Sequence, residues 1–211
     1  MTAAGIRLEP GSGGAPLTRL AEVNDVLAAF GSRVWPLELG SAPADLRAAL
    51  GRPSVTQSEA ARIKAHFLLS REHLLEKITE AGRAPHVAGG GELASAVINH
   101  GYSYPQLFVV DSVTDYRRFD RFHVNTGEDG TGVDEVMQVL SGGCIRILQR
   151  RPGLGETTLH LDCPAHDAGW IVTYDGSGSH IGSFSTARPG TKVLMQVIGP
   201  ARWTMRYDED G

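Results

Sequence analysis

Cysteine, long apolar runs and an excess of either charge are what this sequence has little of. Cys144 and Cys163 are its two cysteines in 211 residues, too few for a disulfide framework, and neither lies in a Cys-x-x-Cys pair. They read as small, buried, reduced residues in adjacent strands, which points to a cytoplasmic protein. No apolar run approaches the roughly eighteen residues that span a bilayer, so a membrane is not an expected partner. The formal net charge of −4 leaves no basic footprint and argues against nucleic acid as a partner. The first residues lack the basic-then-apolar layout of a secretion signal. Their Gly, Ser, Pro and Ala content predicts a flexible tail over 1–16. With 41% hydrophobic and 21% charged residues, the composition is that of a soluble globular protein.

What is present changes character near residue 100. Over 17–100 the apolar residues follow helical spacing. Leu17, Leu20, Val23, Val26, Leu27 and Phe30 form one face, ended by Gly31. A short helix fits Ala44 to Leu50, before Gly51 and Pro53. Thr56 and Glu59 have the spacing of a capping box, in which hydroxyl and carboxylate satisfy each other's backbone N–H groups. An apolar stripe then runs from Ala60 to Ile78, with Ser70 as a break and Gly82 as a stop. Leu93 to Ile98 predicts one more short helix. Such short helices bury little area alone, so the region is expected to pack on the C-terminal half of the chain.

Over 101–211 the period becomes two. Candidate strands are Gln106–Val110, Phe119–Asn125, Glu135–Leu140, Ile145–Gln149, Thr157–Cys163, Trp170–Tyr174, Ile181–Ser185, Lys192–Ile198 and Trp203–Tyr207. Gly- and Pro-rich turns separate them, Gly142–Gly143 and Asp175–Gly178 among them. This spacing predicts a mainly β, antiparallel sandwich or barrel with an α-helical N-terminal region packed on it.

A metal site in a small barrel needs ligands on neighbouring strands whose alternate side chains point inward. Two stretches meet this need. In one, His123 and Asn125 share a strand face, a Gly-rich loop comes next, and Glu135 opens the following strand with Gly142 seven residues later. In the other, a strand from Gly169 enters the turn Asp175-Gly176-Ser177-Gly178 and delivers His180. These stretches resemble the two motifs of the cupin superfamily, over about residues 104 to 207. Glu135 to Gly142 reproduces the glutamate–glycine spacing of the first motif, and Gly169 to His180 the frame of the second. Asn125 stands where the family usually places a second histidine, the loop before Glu135 is longer, and Asp175 and Ser177 replace the turn's Pro and Gly. The resemblance implies a double-stranded β-helix (jelly-roll) barrel holding one divalent metal ion through His123, Glu135 and His180.

Two imidazoles and a carboxylate leave metal positions open, the donor set of non-haem Fe(II) oxygenases. The expected function is therefore a metal-dependent oxygenase acting on a small polar organic molecule, with Fe(II) favoured over Zn, Ni or Mn. Arg121, two residues before His123, is expected on the same inward face, pairing a substrate anion or an acid at the barrel mouth. Asn125 reads as a weak ligand or a hydrogen-bonding neighbour, and which of His123 and Asn125 is the first-strand ligand stays open. His160, oriented by Asp162, reads either as an acid–base group in the pocket or as part of a solvent-facing pair. His160-Leu161-Asp162 also resembles the facial triad of 2-oxoglutarate-dependent oxygenases, a rival site. Gln138 and Gln196 need polar partners mid-strand and could reach the cavity. Tyr174, Trp170 and Phe184 read as core. His66 and His73 read as one face of a long helix, and Gly127–Gly132 as a flexible connection or lid. The alternatives are a redox-neutral Zn or Ni isomerase, lyase or cyclase, and a ligand-binding cupin without turnover. By resemblance, the helical part closes one side of the pocket or builds a homodimer.

Overall fold

The computed structural model describes residues 5–11, 13–86, 102–163 and 168–208. The predicted helix over Leu93 to Ile98 lies outside these residues. So do His100 and His166. Among the described residues no helix is long and apolar enough to cross a membrane.

The chain folds as β1 (Ile6–Pro10), α1 (Leu20–Ala29), β2 (Arg33–Glu38), α2 (Ala44–Leu50), α3 (Gln57–Phe67) and α4 (Arg71–Glu80). Next come β3 (Tyr102–Val109), a 3-10 turn (Arg117–Phe119), β4 (His123–Gly127), β5 (Asp134–Arg151) and β6 (Gly155–Cys163). β7 (Ala168–Asp175), β8 (His180–Ser183), β9 (Lys192–Gly199) and β10 (Trp203–Tyr207) complete it. The strands make two facing layers, β1-β6-β5-β8-β4-β10 and β2-β7-β5-β9-β3, which share β5. All the pairings are antiparallel. This is the antiparallel arrangement that the turn spacing predicts and the jelly roll that the cupin resemblance implies, in which two sheets enclose a core between them.

The shared strand changes one expectation. Glu135–Leu140 and Ile145–Gln149 read as two strands with a Gly-Gly turn, but they are halves of one strand of 18 residues. Its first half pairs with β7 and β9 and its second with β6 and β8. The chain passes from one layer to the other at Gly142, Gly143 and Cys144, whose φ values are 76°, 150° and 61°. Glycine is required there on two grounds. Positive φ is costly for L side chains, and a Cβ would lie 2.2 Å from Thr191 Oγ1 at position 142 or from Asp162 Oδ1 at position 143. Cys144 tolerates its left-handed backbone because its N–H donates to Asp162 Oδ1 at 3.0 Å. It is half-buried, whereas Cys163 is buried as expected. Burial and the charge of Asp162 push the Cys163 thiol up to about 12, so it stays protonated at neutral pH.

Two more strands correct the sequence reading. Residues 1–16 are not all tail: Ile6 to Pro10 pair with Leu161 to Thr157 of β6. Ile6 and Leu8 point into the core while Arg7 points out. Burying a side chain such as Leu8 stabilises by about 2 kcal/mol, enough to anchor the segment despite its Gly-rich flanks. Within the helical region, β2 pairs along β7 and buries Val34. Pro36 disguised it, yet β2 is an edge strand, where a residue without N–H is tolerated.

Helices α2, α3 and α4 cover the outer face of the β2-β7-β5-β9-β3 layer, while α1 packs Val23 and Leu27 into the main core with Ile6, Leu8 and Val34. Leu46, Leu50, Ile63 and Phe67 pack on Leu140 and Leu194, and Leu74 packs on Val136 and Ile171. The Thr56–Glu59 capping box forms in both directions. At the break between α3 and α4, Ser70 caps α4, so His66 and His73 belong to different helices rather than to one face. Gln138 and Gln196 do not reach the cavity. Gln138 Nε2 donates to Phe67 O at 2.8 Å, and Gln196 accepts from Leu69 N at 2.9 Å and donates to Leu69 O at 3.1 Å. These bonds fix the interhelix break to the sheet, because buried backbone groups need partners. Lys192 is also fully buried, its ammonium donating to Leu50 O, Arg52 O and Gly190 O at 3.0, 2.5 and 2.8 Å. It thereby ties the C-terminus of α2 to β9.

Candidate metal centre

Four elements bring polar side chains to one wall of a cavity of about 410 Å³ between the sheets. His123 and Asn125 come from β4, Glu135 from β5, Tyr174 from β7 and His180 from β8. The alternation of β4 is simple: His123, Asn125 and Gly127 are buried and face in, while Val124 and Thr126 are half-exposed. His123 is paired in register with His180 across the β4–β8 ladder, so their ring centroids stand 4.4 Å apart.

Main-chain carbonyls orient both imidazoles. His123 Nδ1 is 2.8 Å from Arg121 O, and His180 Nδ1 is 2.8 Å from Gly178 O. A carbonyl oxygen only accepts, so each Nδ1 carries the proton and each neutral ring keeps its Nε2 lone pair for the cavity. Fixing a ligating histidine through its other nitrogen is the usual support of a metal-bound imidazole. Glu135 accepts from Asn125 Nδ2 at 2.6 Å and from the Tyr174 hydroxyl at 2.9 Å. Its Oε1 stands 3.4 Å from His180 Nε2.

These contacts set the electrostatics. Burial alone raises a carboxyl, but the charge and hydrogen bond of His180, with the bonds from Asn125 and Tyr174, hold Glu135 below its ordinary value. Burial lowers the His180 imidazole, yet the Glu135 carboxylate and the Gly178 carbonyl leave it raised. His123 is lowered, by burial and then by repulsion from His180. Tyr174 is pushed well up by burial and by the adjacent carboxylate, so it remains a hydrogen-bond donor.

Among the described residues, no three His, Cys, Asp or Glu side chains are by themselves set at metal-holding distances. The cavity-facing set is mixed: two imidazoles, one carboxylate and one carboxamide. Asn125 Oδ1 is buried without a hydrogen-bond partner, an orphan that costs about 1–3 kcal/mol unless something in the cavity engages it. An anionic carboxylate, two oriented Nε2 atoms and an unengaged amide oxygen are the donors a divalent ion accepts. The group therefore fits a metal in its chemistry.

A glycine makes the arrangement possible. A Cβ on Gly176 would lie 2.7 Å from Glu135 Oε1. Gly176 also joins the strands through its backbone, donating to Val133 O at 3.0 Å and accepting from Asn125 N at 2.6 Å. The turn around it is tied to the end of the helical region, where His86 Nε2 lies 2.8 Å from Asp175 Oδ1 and 3.0 Å from Ser177 Oγ. Arg83 pairs with Asp134, the first residue of β5.

Two of the six expected site residues are not on this polar wall. Arg121 is not on β4, because the 3-10 turn at Arg117–Phe119 intervenes and the strand opens only at His123. Its side chain is exposed and lies over the Tyr207 ring, with Cζ 4.4 Å from the centroid. His160 faces away from the cavity on β6, 3.3 Å from Glu9 and 3.4 Å from Arg7. Asp162 pairs with Arg188, so the rival His160-Leu161-Asp162 site does not join the cavity. The Gly127–Gly132 loop is a folded turn closed by a Gly127 N to Thr131 O bond of 2.7 Å, not an open lid. Tyr174 reads from sequence as core, which it is, and Gly176 as a turn residue; their contacts with Glu135 were not foreseen. A hydroxyl midway along the strand that feeds the His180 turn was the available signal. The cavity walls were missed too, because they come from strands far apart in the chain: Phe108 on β3, Phe184 after β8, and Trp203 and Tyr207 on β10.

No sequence-family model matches the chain, and no curated protein matches it. A solved structure does: acireductone dioxygenase from Bacillus anthracis, with a cadmium ion in its active centre. It aligns over 97% of this chain and 99% of its own length, with a TM-score of 0.64 and 13% identity. The likeness spans the helical region and the barrel together, and the chain has the mainly β, cupin-type fold of that enzyme.

Proposed function

We propose that the protein is a metal-dependent enzyme of the non-haem oxygenase kind, acting on a small organic molecule in the barrel cavity. One observation carries the reading: two imidazoles with Nδ1 fixed by backbone carbonyls share a buried wall with an anionic carboxylate. His123, His180 and Glu135 would hold the ion, with Asn125 Oδ1 as a further donor. The solved neighbour, a dioxygenase with a metal in its active centre, supports the same kind of chemistry. A bound Fe(II) would supply dioxygen activation at positions the protein leaves open.

The chain's own residues do the rest. Tyr174 and Asn125 hold the Glu135 carboxylate in one orientation from both oxygens. The Gly178 and Arg121 carbonyls fix the imidazole tautomers. A proton taken up at His180 Nε2 would block the lone pair an ion needs, so metal affinity falls as the pH drops. His160 takes no part, being outside the cavity.

A second reading, a ligand-binding protein without turnover, is favoured by the 3.4 Å His180–Glu135 pair, which balances the carboxylate without an ion. Metal analysis of protein purified without added metal, followed by oxygen uptake with candidate substrates, separates the two. The oxygenase reading expects a stoichiometric transition metal, lost in His123→Ala and His180→Ala, and oxygen consumption. Zinc alone with no oxygen uptake defeats it. Metal content unchanged in both variants defeats the site.

A further inference from the structure

We propose that the cavity takes a small aromatic carboxylic acid, its ring packed against the Phe108, Phe119 and Phe184 cluster and its carboxylate held at the mouth by Arg118 and Arg121. The inference deepens the function above by naming a substrate class and rests on the same cavity, but its argument does not need the ion.

Size comes first. A volume of about 410 Å³, at roughly 30 Å³ per water, corresponds to about a dozen non-hydrogen atoms. Shape and polarity come next. Polar groups occupy one wall, and the rest of the lining is largely aromatic. The Phe184 ring lies 5.0 Å from Phe108 and 5.6 Å from Phe119, and Phe108 and Phe119 stand edge to face at 5.7 Å. Such a cluster offers both ring faces and ring edges, the contacts that favour another aromatic ring over an aliphatic chain of equal area.

Charge decides the rest. Arg118 lies over the Phe119 ring at 4.5 Å and Arg121 over the Tyr207 ring at 4.4 Å, and both rings line the cavity. Both arginines are exposed; Arg118 itself lines the cavity, and Arg121 adjoins it through the Tyr207 ring. Among the described residues neither guanidinium has a carboxylate partner. Of the nearby acids, Asp115 pairs with Arg117 and Asp208 accepts from Ser179; Asp120 Oδ2 accepts from Ser185, and its Oδ1 is turned into the protein, buried and without a partner. A guanidinium over a ring still has N–H groups to offer, and two of them match a carboxylate in bidentate fashion. Two such guanidinium groups at the mouth of an aromatic cavity select a molecule with a ring at one end and an anion at the other.

The test is calorimetric titration of 3-phenylpropanoate, its amide and hexanoate into wild type and the Arg118→Gln/Arg121→Gln double variant, each with and without zinc. The expected result is that 3-phenylpropanoate binds wild type at least about tenfold tighter than either comparison probe. In the double variant the preference for acid over amide disappears while amide affinity is kept. Equal binding of acid and amide overturns the proposal, as does equal binding of hexanoate, a preference that survives in the double variant, or no binding of the acid up to about 10 mM. The zinc titration reads the metal separately. No zinc binding with the acid preference intact defeats the metal reading and leaves this one standing.

Discussion

Replacing Gly176 by Ala tests whether the geometry around Glu135 is what matters at this wall. The added Cβ would stand 2.7 Å from Glu135 Oε1, 2.8 Å from Val133 Cγ2 and 3.0 Å from Val133 O, where ordinary contact begins at 3.4 Å. The carboxylate must then retreat by about 0.7 Å, while metal–ligand distances tolerate about 0.2 Å. It has no slack to do so. Asn125 and Tyr174 hold its two oxygens at 2.6 and 2.9 Å, and giving up one hydrogen bond to a charged group costs about 1.5–3 kcal/mol. That range is about 10- to 100-fold in metal affinity. Overpacking lowers stability by about 1–3 kcal/mol besides.

Competitive zinc titration and urea melts of Gly176→Ala measure both effects. Gly178→Ala is the control, because its Cβ would meet nothing nearer than Asp175 O at 3.3 Å; it is expected to stay within about 0.5 kcal/mol of wild type. Glu135→Asp, one methylene shorter, makes room for the new methyl, so the double variant Gly176→Ala/Glu135→Asp should lose less than the two single losses combined. A Gly176→Ala protein with wild-type zinc affinity and stability refutes the reasoning, as does strict additivity in the double variant.

Two further outcomes are expected. Gly142→Ala places a methyl 2.2 Å from Thr191 Oγ1 at a φ of +76°, so urea melts should show a loss of about 2–4 kcal/mol, and a loss under about 1 kcal/mol contradicts the corner. The hydrogen bond to Asp175, against burial, raises the His86 imidazole above its ordinary value. Its stabilisation is therefore fully present below the unfolded value of about 6.5 and is lost as the pH rises through the folded one. Melts at mildly acidic and alkaline pH should show wild type losing up to about 1 kcal/mol that His86→Gln does not lose, and parallel pH curves contradict the pair.

The barrel was legible because turns and period-two segments carry their own signal, and the grouping of His123, Glu135 and His180 on one wall because its spacing brackets two Gly-marked turns. Other features depend on what lies around them. Ile6-Arg7-Leu8-Glu9 alternates, but four residues between Gly-rich stretches do not declare a strand until β6 offers an edge. Pro36 hides β2 for the same reason. Arg121 was misplaced because a 3-10 turn at Arg117–Phe119 delays the strand by four residues, from Phe119 to His123, and so takes Arg121 off the inward-facing alternation. His160 shows the converse: its strand was read correctly, but only the pairing of β6 with β1 reveals that its face lies against Arg7 and Glu9. Gln138 looked like a cavity residue because its strand is buried on both sides, and only the helices show which side needs a donor.

The long shared strand explains why one motif can contain both Glu135 and the glycine seven residues on. Gln149 pairs with His180 on the β5–β8 ladder, and the His180 ring lies 3.4 Å from the Glu135 carboxylate. Glu135 and Gln149 are fourteen residues apart on the same strand, which would separate them by about 46 Å were it straight, at ~3.3 Å per residue. They serve one site only because the strand folds over at Gly142–Cys144 and brings its two halves face to face. The corner is thus as much a condition of this polar wall as the side chains on it are. The first half presents the carboxylate, and the second holds by main-chain pairing the strand that presents the imidazole. Any change that straightens the corner separates Glu135 from His180 without touching either.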